Sequence, residues 1–65
     1  MMQLRRLRRA RAFTQEELSR ISGVSRDTIS ALEAGKREAQ PRTIRRLADA
    51  LNVDTQELMK GEDDG

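Results

Sequence analysis

The chain has 65 residues, with no cysteine and no histidine. This length allows one small domain whose core barely offsets chain entropy, and the missing residue types exclude disulfides, a cysteine nucleophile and any zinc site not built from carboxylates alone. The formal net charge is +2, but three of the 11 acidic side chains lie in residues 61–65, whereas all 13 basic ones come earlier. The earlier part of the chain is therefore basic, which favours a phosphate-bearing partner.

The two ends of the chain are charged rather than apolar. The N-terminal sequence MMQLRRLRRA has no apolar run that would make a signal peptide or a membrane span, so we expect a cytoplasmic protein without a membrane partner. The C-terminal sequence GEDDG has nothing to bury and is expected to be a disordered acidic tail. The sequence thus predicts a folded domain over residues 1–60 and a tail over residues 61–65.

The first predicted helix is crowded with arginine. Its apolar residues fall at helical spacing: Leu4, Leu7 and Ala10. This spacing predicts a helix from Met2 to about Arg11. Arg5 and Arg9 stand four positions apart, where like charges destabilise a helix by roughly a few tenths of a kcal/mol. We therefore expect a counter-charge from an acid such as Glu16 or Glu17, or from a phosphate. Phe13, the single aromatic residue, is expected to anchor the core.

Two short helices separated by a glycine follow. Thr14 and Glu17 have the spacing of a capping box, which predicts a second helix over residues 15–22. Gly23 is expected to end this helix, because glycine readily adopts the left-handed backbone of helix C-termini. Ser25 is expected to cap the third helix. The residues of these two helices that are predicted to face the core are Leu18, Ile21, Ile29 and Leu32.

A basic loop and two further helices complete the predicted domain. Gly35 closes the third helix and precedes Lys36 and Arg37. Pro41 suits the first position of a fourth helix, where its missing N–H costs nothing. The apolar residues of the fourth helix recur at helical spacing: Ile44, Leu47, Ala48 and Leu51. Asp54 is expected to cap a short fifth helix. The apolar residues of this fifth helix are Leu58 and Met59.

The exposed side chains of the third helix indicate recognition of double-stranded DNA. In a helix-turn-helix, which is two helices joined by a tight turn, the first turn of the later helix lies against base edges in the DNA major groove. Here the later helix is the predicted third helix. Arg26 can donate two hydrogen bonds to guanine, with a phosphate contact or simple solvation as alternatives. Asp27 can accept from cytosine, or can merely favour the positive end of the helix. The weaker candidates for base contact are Thr28, Ser30 and Ala31.

Three residues outside the third helix are predicted to bind the DNA backbone. Gln15 stands at the N-terminus of the second helix, where a side-chain amide and unpaired backbone N–H groups suit a phosphate. Lys36 and Arg37 follow the third helix and can hold the other side of the groove. Such contacts give affinity and salt dependence rather than sequence preference.

No group of residues in the sequence suits catalysis. Glu16 and Glu17 are adjacent, so their side chains point apart on a helix, and the serines have no histidine to activate them. The glycines are scattered and do not form a phosphate-cradling loop. We therefore expect no enzyme activity, no cofactor and no metal.

The segment TQEELSRISGVSRDTISALEAGKR, followed by TIRRLADALNV, resembles the lambda-repressor/Cro-like (XRE-type) helix-turn-helix family. The resemblance covers residues 4–59. It implies an all-α, compact five-helix domain of a transcriptional regulator, usually a repressor. Members bind inverted-repeat operators in double-stranded DNA as homodimers, and a domain this small is a candidate for dimerising only on DNA. The dimer surface is expected at the fifth helix and around Val53.

The resemblance also implies roles for individual residues. Its base contacts fall on Ser25, Arg26, Asp27, Ser30 and Ala31. Its phosphate contacts fall on Gln15, Lys36 and Arg37. It further implies a largely buried ion pair between Arg8 in the first helix and Glu33 near the end of the third.

Three positions depart from the family's pattern. Ala12 stands where many members have glycine, so either the first helix ends differently or the alanine takes a left-handed backbone at a cost of about 1 kcal/mol. Ser19 replaces a small alanine at a close contact between helices. Ala31 removes a polar side chain where relatives often carry one. Specificity is therefore expected to depend on DNA shape as well as on Arg26.

Two other functions fit the same residues. With an unchanged fold, the chain could be an antitoxin that represses its own operon and neutralises a toxin partner. It could instead be a protein-bridging coactivator module, which predicts an exposed apolar groove and no specific binding to duplex DNA. The chain could also be one domain of a longer regulator.

Overall fold

Five helices make up residues 2–60, the part of the chain that the computed structural model describes. They are α1 (Met2–Ala10), α2 (Gln15–Ser22), α3 (Arg26–Glu33), α4 (Pro41–Leu51) and α5 (Thr55–Met59). These residues contain no strand, so the all-α prediction is confirmed. None of the five helices is long and apolar enough to cross a membrane. The predicted acidic tail, residues 61–65, lies outside the described residues.

Every helix contributes to the core. α2 packs against α3 and α4, while α1 packs against α3 and α5. Phe13 and Ile44 are partly buried against the core cluster. The fully or almost fully buried members of the cluster are Leu4, Leu18, Val24, Ile29, Leu32, Leu47, Ala48, Leu51 and Leu58. This packing fixes α2 and α3 relative to each other and to the rest of the domain.

Ile21 does not join the core, so its predicted place in the apolar stripe of α2 is wrong. Its side chain is 55 % exposed, whereas Leu18 is fully buried. Ile29 and Leu32 of α3 have the same spacing and are both fully buried, so the way α2 sits on the core, and not helical spacing, leaves Ile21 exposed. Val24, just beyond Gly23, is the next apolar residue to enter the core.

The C-termini of α1, α3 and α4 end in the same backbone arrangement. After α1, the N–H of Phe13 donates to the carbonyl of Arg8 and the N–H of Ala12 donates to the carbonyl of Arg9, which is the Schellman pattern. The left-handed residues at the three ends are Ala12, Gly35 and Asn52. Glycine and asparagine adopt this conformation readily, whereas Ala12, at φ 59°, is strained by about 1 kcal/mol. Of the two predicted options for Ala12, the left-handed one is found.

The N-terminal cap of α2 forms as predicted, but that of α5 does not. Thr14 Oγ1 accepts the N–H of Glu17 at 3.0 Å, and Glu17 Oε1 accepts the N–H of Thr14 at 2.8 Å. Hydrogen bonding of the Glu17 carboxylate by Thr14, above all by the backbone N–H of Thr14, holds the pKa of Glu17 below its ordinary value. Asp54 forms no side-chain cap, because its own backbone carbonyl already accepts the N–H of Glu57 at 3.0 Å.

Candidate nucleic-acid interface

α2 and α3 form a helix-turn-helix unit whose turn is set by Gly23 and Ser25. Gly23, at φ 78°, ends α2 in the left-handed conformation. Ser25 then caps α3, because its Oγ accepts the N–H of Thr28 at 3.1 Å. Leu18 of α2 and Ile29 of α3 are both fully buried. The inner sides of the two helices are thus held in the core, and the opposite side of α3 is left exposed.

Three polar side chains of α3 are exposed, and we refer to them as the outer face of α3. They are Arg26, Asp27 and Ser30. Within residues 2–60, none of these three side chains forms a hydrogen bond or an ion pair. Arg26 and Asp27 occupy the first turn of α3, the turn predicted to contact bases. Thr28 and Ala31, the other predicted contacts of this helix, are half-buried.

The hydroxyl groups of Ser25 and Thr28 bind each other. Ser25 Oγ accepts the N–H of Thr28 and also donates to Thr28 Oγ1 at 2.8 Å. Each hydroxyl has a single hydrogen, so the contact between Ser25 and Thr28 uses one of their two hydrogens and leaves the other as a donor. Base contact by Ser25 stays a prediction.

Arg8 and Glu33 form a largely buried ion pair that joins α1 to α3. Arg8 Nε donates to Glu33 Oε2 at 2.6 Å and Arg8 Nη2 donates to Oε1 at 3.1 Å, which is the strong two-pronged geometry. Arg8 Nη1 donates to the carbonyl of Phe13 at 2.7 Å. The side chains of Arg8 and Glu33 are 12 % and 1 % exposed. The guanidinium of Arg8 therefore joins α1 to α3 and to the backbone at Phe13.

Two further groups share the Glu33 carboxylate. Gln15 Nε2 donates to Glu33 Oε1 at 3.0 Å, and Arg5 Nε lies 3.5 Å from the same oxygen atom. α1, α2 and α3 therefore meet at one buried carboxylate. We call the four residues Arg5, Arg8, Gln15 and Glu33 the Glu33 junction. The acid beside Arg5 is thus Glu33, and the expectation that Glu16 or Glu17 supplies it is wrong.

The Glu33 carboxyl is kept ionised by its partners. Burial raises the pKa of Glu33, but the hydrogen bonds from Arg8 and Gln15, the charge of Arg8 and the contact with Arg5 lower it by more. The pKa of Glu33 therefore lies below its ordinary value of 4.5. At neutral pH the junction holds a buried negative charge that is fully bound by donors.

The three predicted phosphate-binding residues lie at two different places. Gln15 uses one of the two hydrogens on Nε2 for Glu33 and keeps the other. Lys36 and Arg37 are exposed in the loop after α3, and within residues 2–60 their side chains have no hydrogen bond or ion pair. In the same part of the chain, no cluster of acidic side chains is arranged to hold a metal ion.

Comparisons with known proteins agree on one kind of protein. A helix-turn-helix family model matches residues 4–58. The uncharacterized HTH-type transcriptional regulator RghRB of Bacillus subtilis (strain 168) is 50 % identical over 58 residues, which cover 88 % of this chain and 42 % of that protein. The HTH-type transcriptional repressor RghR of the same strain is 47 % identical over 58 residues, or 88 % of this chain and 43 % of that protein.

A third relative comes from another organism. The uncharacterized HTH-type transcriptional regulator y4dJ of Sinorhizobium fredii (strain NBRC 101917 / NGR234) is 42 % identical over 59 residues, or 91 % of this chain and 77 % of that protein. The chain spans less than half the length of RghRB and RghR. No solved structure matches it. From the family match, the relatives and the five helices, we conclude that the chain belongs to the XRE-type helix-turn-helix family.

Proposed function

We propose that the chain is the DNA-binding domain of a transcriptional regulator, and that it represses by occupying an inverted-repeat operator in a sequence-specific way. The observation that carries this proposal is the exposed outer face of α3, presented by a helix-turn-helix unit whose other side is buried. An α-helix fits the major groove of B-DNA, and the first turn of a recognition helix lies against base edges.

The residues of the interface divide into two roles under this proposal. Arg26 donates two hydrogen bonds to guanine, a contact that discriminates by about 1–3 kcal/mol, and Asp27 accepts from cytosine. The residues that add weaker base contacts are Ser25, Thr28, Ser30 and Ala31. The residues that bind phosphates are Gln15, Lys36 and Arg37. The phosphate contacts fix the register of the domain, while sequence preference comes from the base contacts.

The names of the relatives support both DNA-binding regulation and repression. All three relatives are named HTH-type transcriptional regulators or repressors, and RghR is named a repressor. Because the chain spans less than half of RghR, the proposal concerns DNA binding and operator occupancy alone.

We also propose that two copies bind the operator as a homodimer through α5. Met59 at the end of α5 is 37 % exposed, whereas Leu58 is fully buried. A groove of about 260 Å³ lies beside Met59. The residues that line this groove are Pro41, Ile44, Arg45, Thr55 and Met59. A two-fold axis would set the two α3 helices about 34 Å apart, one turn of duplex. Sedimentation with and without operator DNA measures whether the dimer forms alone or only on DNA.

Selection from random duplex DNA tests the proposed function. We expect the purified chain, at a stated salt concentration, to enrich an inverted repeat. We expect Arg26→Ala to relax the sequence preference at one base position in each half of that repeat, because a guanine contact is removed.

A charge-matched control is Arg9→Ala, because Arg9 is also exposed and lies on α1 rather than at the first turn of α3. This variant is expected to keep the preference of the parent chain at every position. Failure to enrich any sequence, together with specific capture of a protein partner, would contradict DNA-binding regulation and support a protein-bridging module.

A further inference from the structure

Arg5 lies at the edge of the Glu33 junction with much of its side chain in solvent. Its Nε lies 3.5 Å from Glu33 Oε1, yet 56 % of the side chain is exposed. Arg8 differs, because its three guanidinium nitrogens all donate to protein acceptors and its side chain is 12 % exposed. Arg8 uses three of its five N–H groups within the protein and is largely buried, so Arg5 is the arginine at Glu33 whose N–H groups a ligand can reach.

Gln15 is oriented by the same oxygen atom. An ionised carboxylate accepts hydrogen bonds and donates none, so the side-chain amide of Gln15 must turn its nitrogen, not its oxygen, towards Glu33. One N–H is used at 3.0 Å, and the other points away from the carboxylate. Within residues 2–60, the backbone N–H groups of Gln15 and Glu16 at the start of α2 also have no acceptor.

We propose that Arg5 and Gln15 bind one phosphate of the DNA backbone as a pair, and that Glu33 is the positioning residue for both. The inference rests on the proposed function, because its ligand is duplex DNA. The two donors lie 3.5 and 3.0 Å from one oxygen atom, so their remaining N–H groups are close enough to reach the oxygens of a single phosphate. Arg5 supplies the charge and Gln15 a directed hydrogen bond.

The negative charge of Glu33 does not oppose this role. Arg8 binds the carboxylate with two hydrogen bonds and neutralises it, so the charge of Arg5 is left over and the junction as a whole carries +1. Holding long side chains in place before binding also removes part of the entropy cost of ordering them on DNA. The carboxylate thus limits the motion of two phosphate donors without cancelling their attraction.

The affinity of the chain for a short mixed-sequence duplex tests whether Arg5 and Gln15 bind one phosphate, because phosphate contacts do not depend on sequence. The variants are Arg5→Gln, Gln15→Ala and the double variant, measured between about 50 and 200 mM salt. We expect Arg5→Gln to lower the affinity about tenfold, the size of a lost charge-assisted hydrogen bond, and to reduce the slope of log affinity against log salt by about 0.9. Gln15→Ala should lower the affinity about threefold and leave this slope unchanged.

The control and the double variant decide whether the two residues act together. Arg9→Gln removes one positive charge from the same helix at an exposed position, and it should weaken binding by less than about threefold. The loss in the double variant should be smaller than the product of the two single losses, because both side chains bind one phosphate. The proposal that Arg5 and Gln15 bind one phosphate would be overturned if Arg5→Gln and Arg9→Gln lowered DNA affinity equally. It would also be overturned if the loss of affinity in the double variant equalled the product of the two single losses.

For Glu33→Gln, the direction in which DNA affinity changes tests the positioning role of Glu33. General electrostatics predicts tighter DNA binding when a negative charge is removed, whereas a positioning role predicts weaker binding. We expect affinity to fall about threefold at a temperature where circular dichroism shows the variant folded. Tighter binding would overturn the positioning role, and if this variant does not fold, the comparison of Arg5, Gln15 and Arg9 variants decides.

The same experiments separate this inference from the proposed function. If the unaltered chain binds neither the mixed-sequence duplex nor any selected duplex, the proposed function fails and the phosphate pair fails with it. The unaltered chain could instead bind DNA, with Arg26→Ala relaxing sequence preference, while Arg5→Gln and Arg9→Gln lower DNA affinity equally. That result would overturn only the proposal that Arg5 and Gln15 bind one phosphate.

Discussion

The two ends of α3 use polar side chains in opposite ways. Near its C-terminus, Glu33 is 1 % exposed and is bound by donors from α1 and α2. At its N-terminus, Arg26 and Asp27 are exposed, and within residues 2–60 their side chains have no bonded partner. The same eight-residue helix therefore carries a charge that belongs to the fold and charges that are available to a ligand.

This difference has an energetic cause. A buried charge whose partner is removed costs several kcal/mol, whereas an exposed charge contributes little to folding. Substitutions in the Glu33 junction should therefore change stability first, and substitutions on the outer face should change DNA binding alone. Arg5 and Gln15 stand between the two regions, because each touches Glu33 and keeps N–H groups free.

The largest effect is expected from Arg8→Ala. Removing Arg8 takes two hydrogen bonds from the buried Glu33 carboxylate and one from the carbonyl of Phe13. The expected loss of about 3–5 kcal/mol is close to the whole stability of a domain this small, so the variant should be largely unfolded. Arg9→Ala should stay within about 0.5 kcal/mol of the parent chain. Urea unfolding followed by circular dichroism measures both, and equal losses would remove the distinction.

The second-largest effect is expected from acid, which should lower the stability that the Glu33 junction gives to the fold. The pKa of Glu33 is lower in the folded chain than its ordinary value of 4.5, so the unfolded chain takes up the proton first as pH falls. The stability that this carboxylate contributes is complete well above pH 4.5 and is lost as pH falls through the folded pKa. The effect should be smaller than that of Arg8→Ala, because the protonated side chain still accepts hydrogen bonds.

Glu33→Gln isolates this contribution. The pKa of Glu17 is also lowered, by its hydrogen bonds from Thr14, and the variant keeps that part of the acid dependence. The difference in unfolding free energy between the parent chain and the variant should therefore narrow between about pH 7 and pH 3. A difference that is independent of pH would show that the Glu33 carboxylate is not the acid-sensitive group of the junction.

On the outer face, Arg26→Ala is expected to act on binding without acting on the fold. The loss of discrimination at one base pair should be about 1–3 kcal/mol. The free energy of unfolding should change by less than about 0.5 kcal/mol, because the side chain is exposed and bonds to no other described residue. Competition between the selected operator and a version with that base pair changed measures the first quantity. A comparable loss of stability would contradict the division of α3 into two regions.

The sequence was sufficient for the elements that local chemistry determines. The Thr14 capping box, the glycine turn at Gly23 and the Ser25 cap each depend on residues within three or four positions of one another, and all three form. Asp54 shows the limit of such patterns: its residue type suits a cap, but its backbone carbonyl takes the N–H that the side chain would accept.

Contacts between distant residues were less predictable. The exposure of Ile21 follows from how α2 sits on the core, and helical spacing alone does not give that rotation. The convergence of Arg5 and Gln15 on Glu33 joins positions 18 and 28 residues apart in the chain. The family resemblance implies Glu33 as the partner of Arg8, but only the packing of three helices shows that the same carboxylate also meets Arg5 and Gln15.

The smallest effect is expected at Ala12, which lies between α1 and α2. Ala12 has a φ of 59°, in the position that Gly35 and Asn52 occupy at the ends of α3 and α4. Ala12→Gly should therefore stabilise the chain by up to about 1 kcal/mol, since the relief of left-handed strain exceeds the added entropy of the unfolded chain. DNA discrimination should be unchanged, because the substitution leaves the outer face of α3 untouched.

Ala10→Gly is the matched control, because Ala10 is exposed and is the last residue of α1. There glycine should destabilise by roughly 0.5–1 kcal/mol, since it weakens a helix without relieving strain. Urea unfolding of the two variants should thus give shifts of opposite sign from the same chemical change. Shifts of the same sign would mean that the left-handed backbone at Ala12 carries no strain, and that the link from α1 to α2 is relaxed as it stands.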